Sequence, residues 1–240
     1  MPPSSPRSLP PRGRQYAWGG PARTEMARTF ADDRPQTFAE ELANSISHGL
    51  GFLLAVASLP ILVVFAMQHG SAMNVVGATV FSVTMMLLYF ASAMYHALPP
   101  GRAKRVFNRL DHASIYVFIA GSYTPFAFGA LRGGWGWTLF GLVWGMAALG
   151  VLLKGFDRLQ HVGWSTTLYV AMGWLVLIAA VPLMRSVSST GLVLLVAGGV
   201  CYTAGAVFFL LDSRLRFGHF LWHLFVMGGS ACHFFAALRQ

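Results

Sequence analysis

Charged residues are scarce in this 240-residue chain. Asp, Glu, Lys and Arg together make up 10% of it, whereas apolar residues make up 55%. A soluble domain carries about 25% charged residues, so the composition excludes a typical soluble protein, a disordered chain and a collagen-like fibre. The 2 cysteines lie inside apolar segments without CxxC spacing, which excludes a disulfide scaffold. The composition indicates a membrane protein.

Acidic residues are the rarest charged type. The chain has 8 Asp and Glu against 17 Lys and Arg, which gives a net charge of +9. On a soluble protein this excess would suggest nucleic-acid binding. Here most basic residues lie in the N-terminal tail or between apolar runs, as they do in cytoplasmic loops of membrane proteins. We therefore expect no nucleic-acid partner.

Long apolar runs predict an all-α membrane protein, a seven-transmembrane helix bundle, because one spanning helix needs about 20 residues. The predicted spans are residues 45–67, 73–97, 109–131, 135–154, 162–184, 190–211 and 217–238. Residues 1–36 are rich in Pro, Arg and Ser and predict a disordered, uncleaved cytoplasmic tail, so that residues 37–240 form the transmembrane domain. Thr37 and Glu40 have capping-box spacing, which predicts a helix start at the membrane interface before the first span.

The basic residues alternate between the two sides of the predicted bundle. Connections after spans two, four and six each carry at least two Lys or Arg, and the opposite connections carry one or none. The alternation predicts a cytoplasmic N-terminus and an external C-terminus in the plasma or inner membrane. This orientation is opposite to that of G-protein-coupled receptors. A retinal protein is also disfavoured, because it needs a lysine in the last span and both lysines, Lys104 and Lys154, lie at loops.

Three histidines are predicted to share one shallow layer of the bundle. His219 and His223 have i, i+4 spacing, which places both imidazoles on one helix face. They lie about 5 and 11 Å into span seven, and His96 lies about 5 Å from the inner end of span two, at the α-helical rise. Three imidazoles at one depth predict a tetrahedral zinc (Zn²⁺) site with one open position. Iron and manganese are the alternative metals.

Two polar residues near this depth are candidates for the chemistry of the site. Ser92 lies one turn deeper than His96 on the same helix face, and its hydroxyl is a candidate to bond a metal-bound water or a substrate carbonyl. The alternative is a helix serine bonded to its own backbone. Asp111 is a candidate proton acceptor or a partner for a histidine. Its alternatives are an N-cap of span three or an ion pair with Arg109.

Other polar residues are interpreted as support or packing. Glu41, Asn44 and His48 fall on one helix face, either behind the histidines or at the cytoplasmic mouth, with simple interfacial solvation as the alternative. His233 lies about 15 Å from His223 along span seven. Because a zinc–nitrogen bond is about 2.0–2.1 Å long, His233 is interpreted as a packing histidine.

Small residues in two spans are interpreted as helix-packing positions. Gly141 and Gly145 have GxxxG spacing, and residues 228–231 are all small. Both patterns predict close approach of neighbouring helices.

Several ordered motifs resemble the bacterial hemolysin III family. They are EELANSISHG at residues 40–49, SAMYH at 92–96, LDH at 110–112, GSYTP at 121–125, HFLWH at 219–223 and GGSACH at 228–233. The resemblance runs from about residue 37 to the C-terminus. This family is grouped with the progestin and adipoQ receptors, which include the adiponectin receptors, and more distantly resembles the alkaline ceramidases.

The resemblance implies seven helices, an N-terminus inside the cell and a zinc ion near the cytoplasmic face. It implies that His96, His219 and His223 are the zinc ligands. Ser92 and Asp111 match the serine and the aspartate that lie beside the zinc in the family. None of these five positions departs from the family pattern.

The resemblance also implies a function class. We expect a metal-dependent hydrolase that acts on lipid amide or ester bonds, as ceramidases do, with a role in membrane lipid homeostasis and an acyl lipid as substrate. One alternative is a pore-forming cytolysin, as the family name indicates, although a pore needs a polar lining along its whole length. The other is a receptor-like lipid sensor with structural zinc. The sequence leaves the substrate and the oligomeric state open.

Overall fold

The computed structural model describes residues 34–156, 158 and 161–239. Seven helices in this part of the chain are long and apolar enough to cross a membrane, and no strand occurs there. They are α1 (Phe38–His69), α2 (Ala72–Ala97), α3 (Arg102–Leu131), α4 (Gly133–Gly155), α5 (Val162–Ser186), α6 (Ser189–Leu210) and α7 (Gly218–Ala237). The predicted all-α bundle of a multi-pass membrane protein is confirmed. Nearly all of the predicted tail, residues 1–36, lies outside the described residues.

The helices extend beyond the apolar runs that predicted them. Helix α1 begins at Phe38 and α3 at Arg102, each seven residues before the predicted span. A helix satisfies its own backbone hydrogen bonds in water as well as in lipid, so a polar turn can precede the apolar run. The 32 residues of α1 make a helix of about 48 Å, longer than the roughly 30 Å hydrocarbon core. Part of α1 therefore lies outside the hydrocarbon.

The predicted capping box starts α1. The Thr37 hydroxyl accepts from the Glu40 backbone N–H at 3.3 Å, and the Thr37 N–H donates to Glu40 Oε2 at 2.9 Å. The helix then continues without interruption to His69, with its first proline at position 60. The expected interfacial helix is thus the first part of α1 and not a separate element.

One tyrosine satisfies the backbone where α5 changes geometry. Residues 175–179 of α5 form a 3₁₀ segment, which frees backbone groups. The Tyr123 hydroxyl of α3 accepts from the Val176 N–H at 3.0 Å and lies 2.6 Å from the Gly173 carbonyl oxygen. This contact fastens α3 to α5 and supplies partners for groups that lipid cannot satisfy.

A second hydroxyl cluster ties α2, α6 and α7 together. The Tyr89 hydroxyl donates to Ser230 Oγ at 2.7 Å, and the Tyr202 hydroxyl lies 3.2 Å from the same atom. Ser230 in turn donates to the Val226 carbonyl at 2.9 Å. Hydrogen bonds of this kind between helices help to hold membrane bundles together.

The glycines of the bundle differ in how closely neighbouring helices approach them. A Cβ at Gly77 of α2 would lie 2.8 Å from the backbone Cα of Pro125 in α3, and one at Gly229 would lie 2.5 Å from the Tyr202 ring. At Gly141 and Gly145 nothing lies within 4 Å of such an atom. The packing predicted for the small residues of α7 is confirmed at Gly229. For Gly141 and Gly145 it is wrong within the described chain, because these positions face away from the other helices.

We expect Gly77→Ala to lower the free energy of unfolding by about 1–3 kcal/mol, because the added methyl group meets backbone that cannot rotate away. The matched control is Gly145→Ala, which adds the same methyl group in open space and should leave stability equal or raise it by up to about 1 kcal/mol. Thermal unfolding of both variants in one detergent measures the difference. Equal stability of the two variants would contradict the packing described.

Candidate metal centre

Three imidazoles meet at one end of the bundle. His96 lies in the last turn of α2, and His219 and His223 lie in the first two turns of α7. One nitrogen from each ring lies within 4.8 Å of the others. The ring centroids are 4.8 to 5.1 Å apart, so the three rings form a nearly equilateral triangle. Within the described residues, this is the cluster of His, Cys, Asp and Glu that could hold a metal ion.

Each ring has its Nδ1 atom held by an oxygen. His96 Nδ1 lies 2.7 Å from Glu41 Oε2, and His219 Nδ1 lies 3.0 Å from Asp212 Oδ2. His223 Nδ1 lies 3.2 Å from the Asn44 carbonyl oxygen. Carboxylate or carbonyl oxygens behind the histidines are the usual support of metal-binding imidazoles, because they fix the tautomer and turn the other nitrogen to the metal.

The remaining nitrogens fit a shared divalent transition metal. His96 Nε2 is buried and has no hydrogen-bond partner among the described residues, which is costly unless a ligand takes that place. Tetrahedral coordination at 2.0–2.1 Å places ligand nitrogens about 3.4 Å apart. Small side-chain rotations would close the observed separation of up to 4.8 Å. The three histidines can therefore hold a metal ion.

The first turns of α1 form hydrogen bonds with residues of the metal centre and with the start of α7. Glu41 Oε1 accepts from Lys104 Nζ at 3.0 Å, so the carboxylate bridges a lysine and His96. Glu40 Oε1 accepts at 2.8 Å from the backbone N–H of Phe217. Phe217 has a φ of 57°, a left-handed conformation that costs energy for a bulky residue, and it caps the helix that carries two of the histidines.

Ser92 and Asp111 face the same cavity as His219 and His223. The cavity has a volume of about 400 Å³, and its lining includes Ser92, Asp111, His219 and His223. Ser92 Oγ is buried without a hydrogen-bond partner in the described chain, so the alternative of a serine bonded to its own helix is wrong. Asp111 lies in the third turn of α3, whose N-cap is Gly101, so the N-cap alternative is wrong as well. The catalytic roles of Ser92 and Asp111 stay predictions.

The predicted supporting face on α1 divides into two kinds of residue. Glu41 and Asn44 lie behind His96 and His223, as expected. His48 does not lie at an open mouth: it is 2% exposed and stacks flat on His223, with ring centroids 3.4 Å apart and an interplanar angle of 8°. The stacking depends on how α1 is rotated against α7, which helical periodicity within α1 does not reveal.

Sequence reasoning missed two residues of the site. Asp212, which lies beyond the end of α6 and holds His219, had one available signal: an acidic residue seven positions before a candidate ligand. Ser47 Oγ lies 3.1 Å from His223 Nδ1 and donates to the Asn44 carbonyl at 2.9 Å. Nothing in the sequence around Ser47 indicated that its hydroxyl would contact His223.

His233 is separate from the triangle of imidazoles. It lines the same cavity and packs edge-on against Tyr202, with ring centroids 5.3 Å apart. Ten residues of α7 separate it from His223, which corresponds to about 15 Å. The cavity therefore extends from His219 and His223 toward the other end of α7.

This chain resembles known proteins over most of its length. The family model described as "Haemolysin-III related" matches residues 36–234. The chain is 44% identical to "Hemolysin-3" of Bacillus cereus, covering 85% of this chain and 92% of that protein. It is 43% identical to "Hemolysin-3 homolog" of Bacillus subtilis (strain 168), covering 84% and 94%. It is 28% identical to the human "Monocyte to macrophage differentiation factor", covering 83% and 84%. No solved structure gave a significant match.

Removing one histidine of the triangle should remove the metal, whereas removing the distant one should not. We expect His223→Ala to abolish stoichiometric metal binding, because the two remaining imidazoles do not complete the three-ligand site and bind a metal ion more weakly. His233→Ala, in the same helix and cavity, should retain it. Elemental analysis of both purified variants decides the point, and the reverse result would show that the metal binds elsewhere.

Asp212→Asn should weaken metal binding about 10- to 100-fold, because the carboxylate that orients His219 and raises its basicity is lost. The neighbouring change Ser213→Ala is the control for effects on the connection itself. Competition with a chelator of known affinity measures both constants. An unchanged affinity in Asp212→Asn would mean that the contact with His219 does not support the metal.

Proposed function

Because the chain belongs to the Haemolysin-III related family, we propose that it is a membrane zinc protein that hydrolyses amide or ester bonds of lipids. The observation that carries the proposal is the cluster of three imidazoles, two of which line one cavity together with Asp111 and Ser92. The Ser92 hydroxyl has no hydrogen-bond partner among the described residues. A metal with only a structural role does not require an acid, a hydroxyl and a cavity next to it.

Zinc is the metal proposed for the three histidines. Imidazole nitrogen ligands suit zinc, and three protein ligands leave the fourth tetrahedral position open. When bound, zinc lowers the pKa of a coordinated water to about 7 and polarises a carbonyl group as a Lewis acid. Glu41 and Asp212 hold His96 and His219 in the orientation that this chemistry needs.

The residues of the cavity are assigned as follows. Asp111 accepts the proton that the attacking water loses and returns it to the leaving group. The Ser92 hydroxyl donates a hydrogen bond to the carbonyl oxygen of the substrate, where negative charge develops. Apolar side chains of α3, α5 and α6, such as Ile119, Val176 and Leu195, line the cavity away from the histidines and accept an acyl chain.

The proposed location is the cytoplasmic half of the cell membrane. Lys104 contacts Glu41 at the end of the bundle that holds the histidines, and clustered Lys and Arg mark the cytoplasmic side of membrane proteins. A lipid reaches the cavity from the bilayer, so membrane lipids are the proposed partners. Hydrolysis of such lipids would serve membrane lipid homeostasis.

A pore-forming cytolysin is the second candidate, favoured by the names of the two Bacillus relatives. Its physical requirement is a polar path through the membrane. The cavity of the described chain instead has an apolar lining over most of its length. A third candidate is a receptor-like lipid sensor, in which the same zinc site binds metal for stability and no turnover occurs.

Asp111→Asn should lower lipid hydrolysis about 10²- to 10⁴-fold with metal content unchanged, because it removes the proton acceptor and keeps the shape of the side chain. Ser122→Ala is the control, since Ser122 lines the same cavity but donates to the Ile119 carbonyl. Fatty-acid release from ceramides, acyl amides and acyl esters in proteoliposomes measures the activity. Metal-loaded wild-type protein that releases no fatty acid from any of them would contradict the hydrolase and favour the sensor.

The same proteoliposomes test the pore. A hydrolase should not increase release of an entrapped dye, and His223→Ala should abolish hydrolysis. Ion currents or dye release that persist in His223→Ala would favour the cytolysin, because a pore does not need the metal centre.

A further inference from the structure

His48 is a buried histidine with no role in the chemistry assigned above. Its side chain is 2% exposed, and neither ring nitrogen makes a hydrogen bond to any described residue. The ring is held in place by packing: it stacks flat on His223 and meets the Tyr89 ring edge-on at a centroid distance of 4.9 Å. Since buried polar atoms rarely lack partners, the ring nitrogens point to a group supplied from outside the protein.

The ring lines the cavity beside the metal centre. Its position against His223 places it next to the imidazole triangle. Ser92, whose buried hydroxyl also has no hydrogen-bond partner among the described residues, lines the same space. The two residues come from α1 and α2 and face one volume. A ligand that fills the cavity would therefore meet both of them at its polar end.

The chemistry of imidazole determines which chemical group of a bound ligand would satisfy the ring nitrogens of His48. A neutral ring carries one N–H donor and one nitrogen that accepts. Neither nitrogen of His48 has a partner among the described residues, so a ligand has to supply an acceptor for the N–H and a donor for the other nitrogen. The accepting nitrogen then needs a donor. Every acyl lipid offers acceptors, which Ser92 can use, but only some offer an N–H or O–H.

We propose that His48 is a ligand-binding residue that selects lipids with an N–H or O–H donor in their polar part over lipids with acceptors alone. The inference rests on the proposed binding of a lipid in this cavity. An acyl amide or a hydroxyl-bearing lipid satisfies the accepting nitrogen of His48, whereas a plain ester leaves it buried and unpaired. Leaving a buried acceptor unpaired weakens binding about tenfold or more.

Three probes with one alkyl chain and no hydrolysable acyl bond test the preference. They are 1-hexadecanol, which offers an O–H, N-hexadecylmethanesulfonamide, which offers an N–H without a carbonyl group, and hexadecyl methyl ether, which only accepts. Dissociation constants are measured on the full-length, metal-loaded protein in lipid nanodiscs by displacement of a fluorescent fatty acid. The alcohol and the sulfonamide distinguish O–H from N–H as the preferred donor.

We expect the wild type to bind at least one donor-bearing probe about tenfold or more tightly than the ether. His48→Phe keeps a flat ring against His223 but has no nitrogen, so it should bind all three probes with similar affinity. His48→Gln keeps an acceptor and should retain part of the preference. His233→Phe changes a histidine that lines the cavity far from the imidazole triangle, and it should retain the full preference.

Metal content is measured on every variant so that loss of the His223 site is not mistaken for loss of selectivity. If His48→Phe does not fold, His48→Met provides an apolar side chain for the same comparison. A wild type without donor preference, or a preference that survives in the apolar variants, would overturn the inference. Because the probes are not hydrolysed, these outcomes are separate from the hydrolase test: turnover without donor preference would refute only the role of His48.

Discussion

The hydrogen bonds behind the three imidazoles are the interaction on which the site depends. An imidazole in the interior of a membrane bundle has no water to fix its tautomer, and an unpaired nitrogen there is costly. The structure meets this constraint with oxygens from Glu41, Asp212 and the Asn44 backbone, one behind each ring. With the outer nitrogens fixed, the inner ones converge. The ability to hold a metal is therefore a consequence of polar satisfaction within the bundle.

The same constraint explains the length of α1. The helix begins before its apolar run, and the carboxylates of its first turns contact the C-terminal end of α2 and the N-terminal end of α7. Glu40 stabilises the left-handed Phe217 at the start of α7, and Glu41 joins His96 to Lys104. A polar helix end outside the hydrocarbon thus positions histidines that lie inside the bundle. The family model also begins near this point, at residue 36.

The cavity has two chemically different parts. Near the triangle of imidazoles, Ser92 and His48 offer polar atoms that no described residue satisfies. Farther along α7, the lining is mainly apolar as far as His233. A polar end beside the candidate metal centre and an apolar remainder fit the amphiphilic lipid proposed as the ligand. Such a cavity is less suited to ions, which need polar groups along their whole path.

The depth of a side chain along its span could be predicted from the sequence, whereas the rotation of each helix relative to its neighbours could not. Apolar runs determined the seven spans, and the fixed helical rise placed His96, His219 and His223 in one layer. Periodicity also gave the supporting face of α1, because spacing within one helix defines its faces. The tertiary structure alone decided that His48 stacks on His223 and that Asp212, outside any span, reaches His219. The physical reason is that rise and turn are properties of one helix, whereas the rotation of one helix against another is set by the packing of side chains from both.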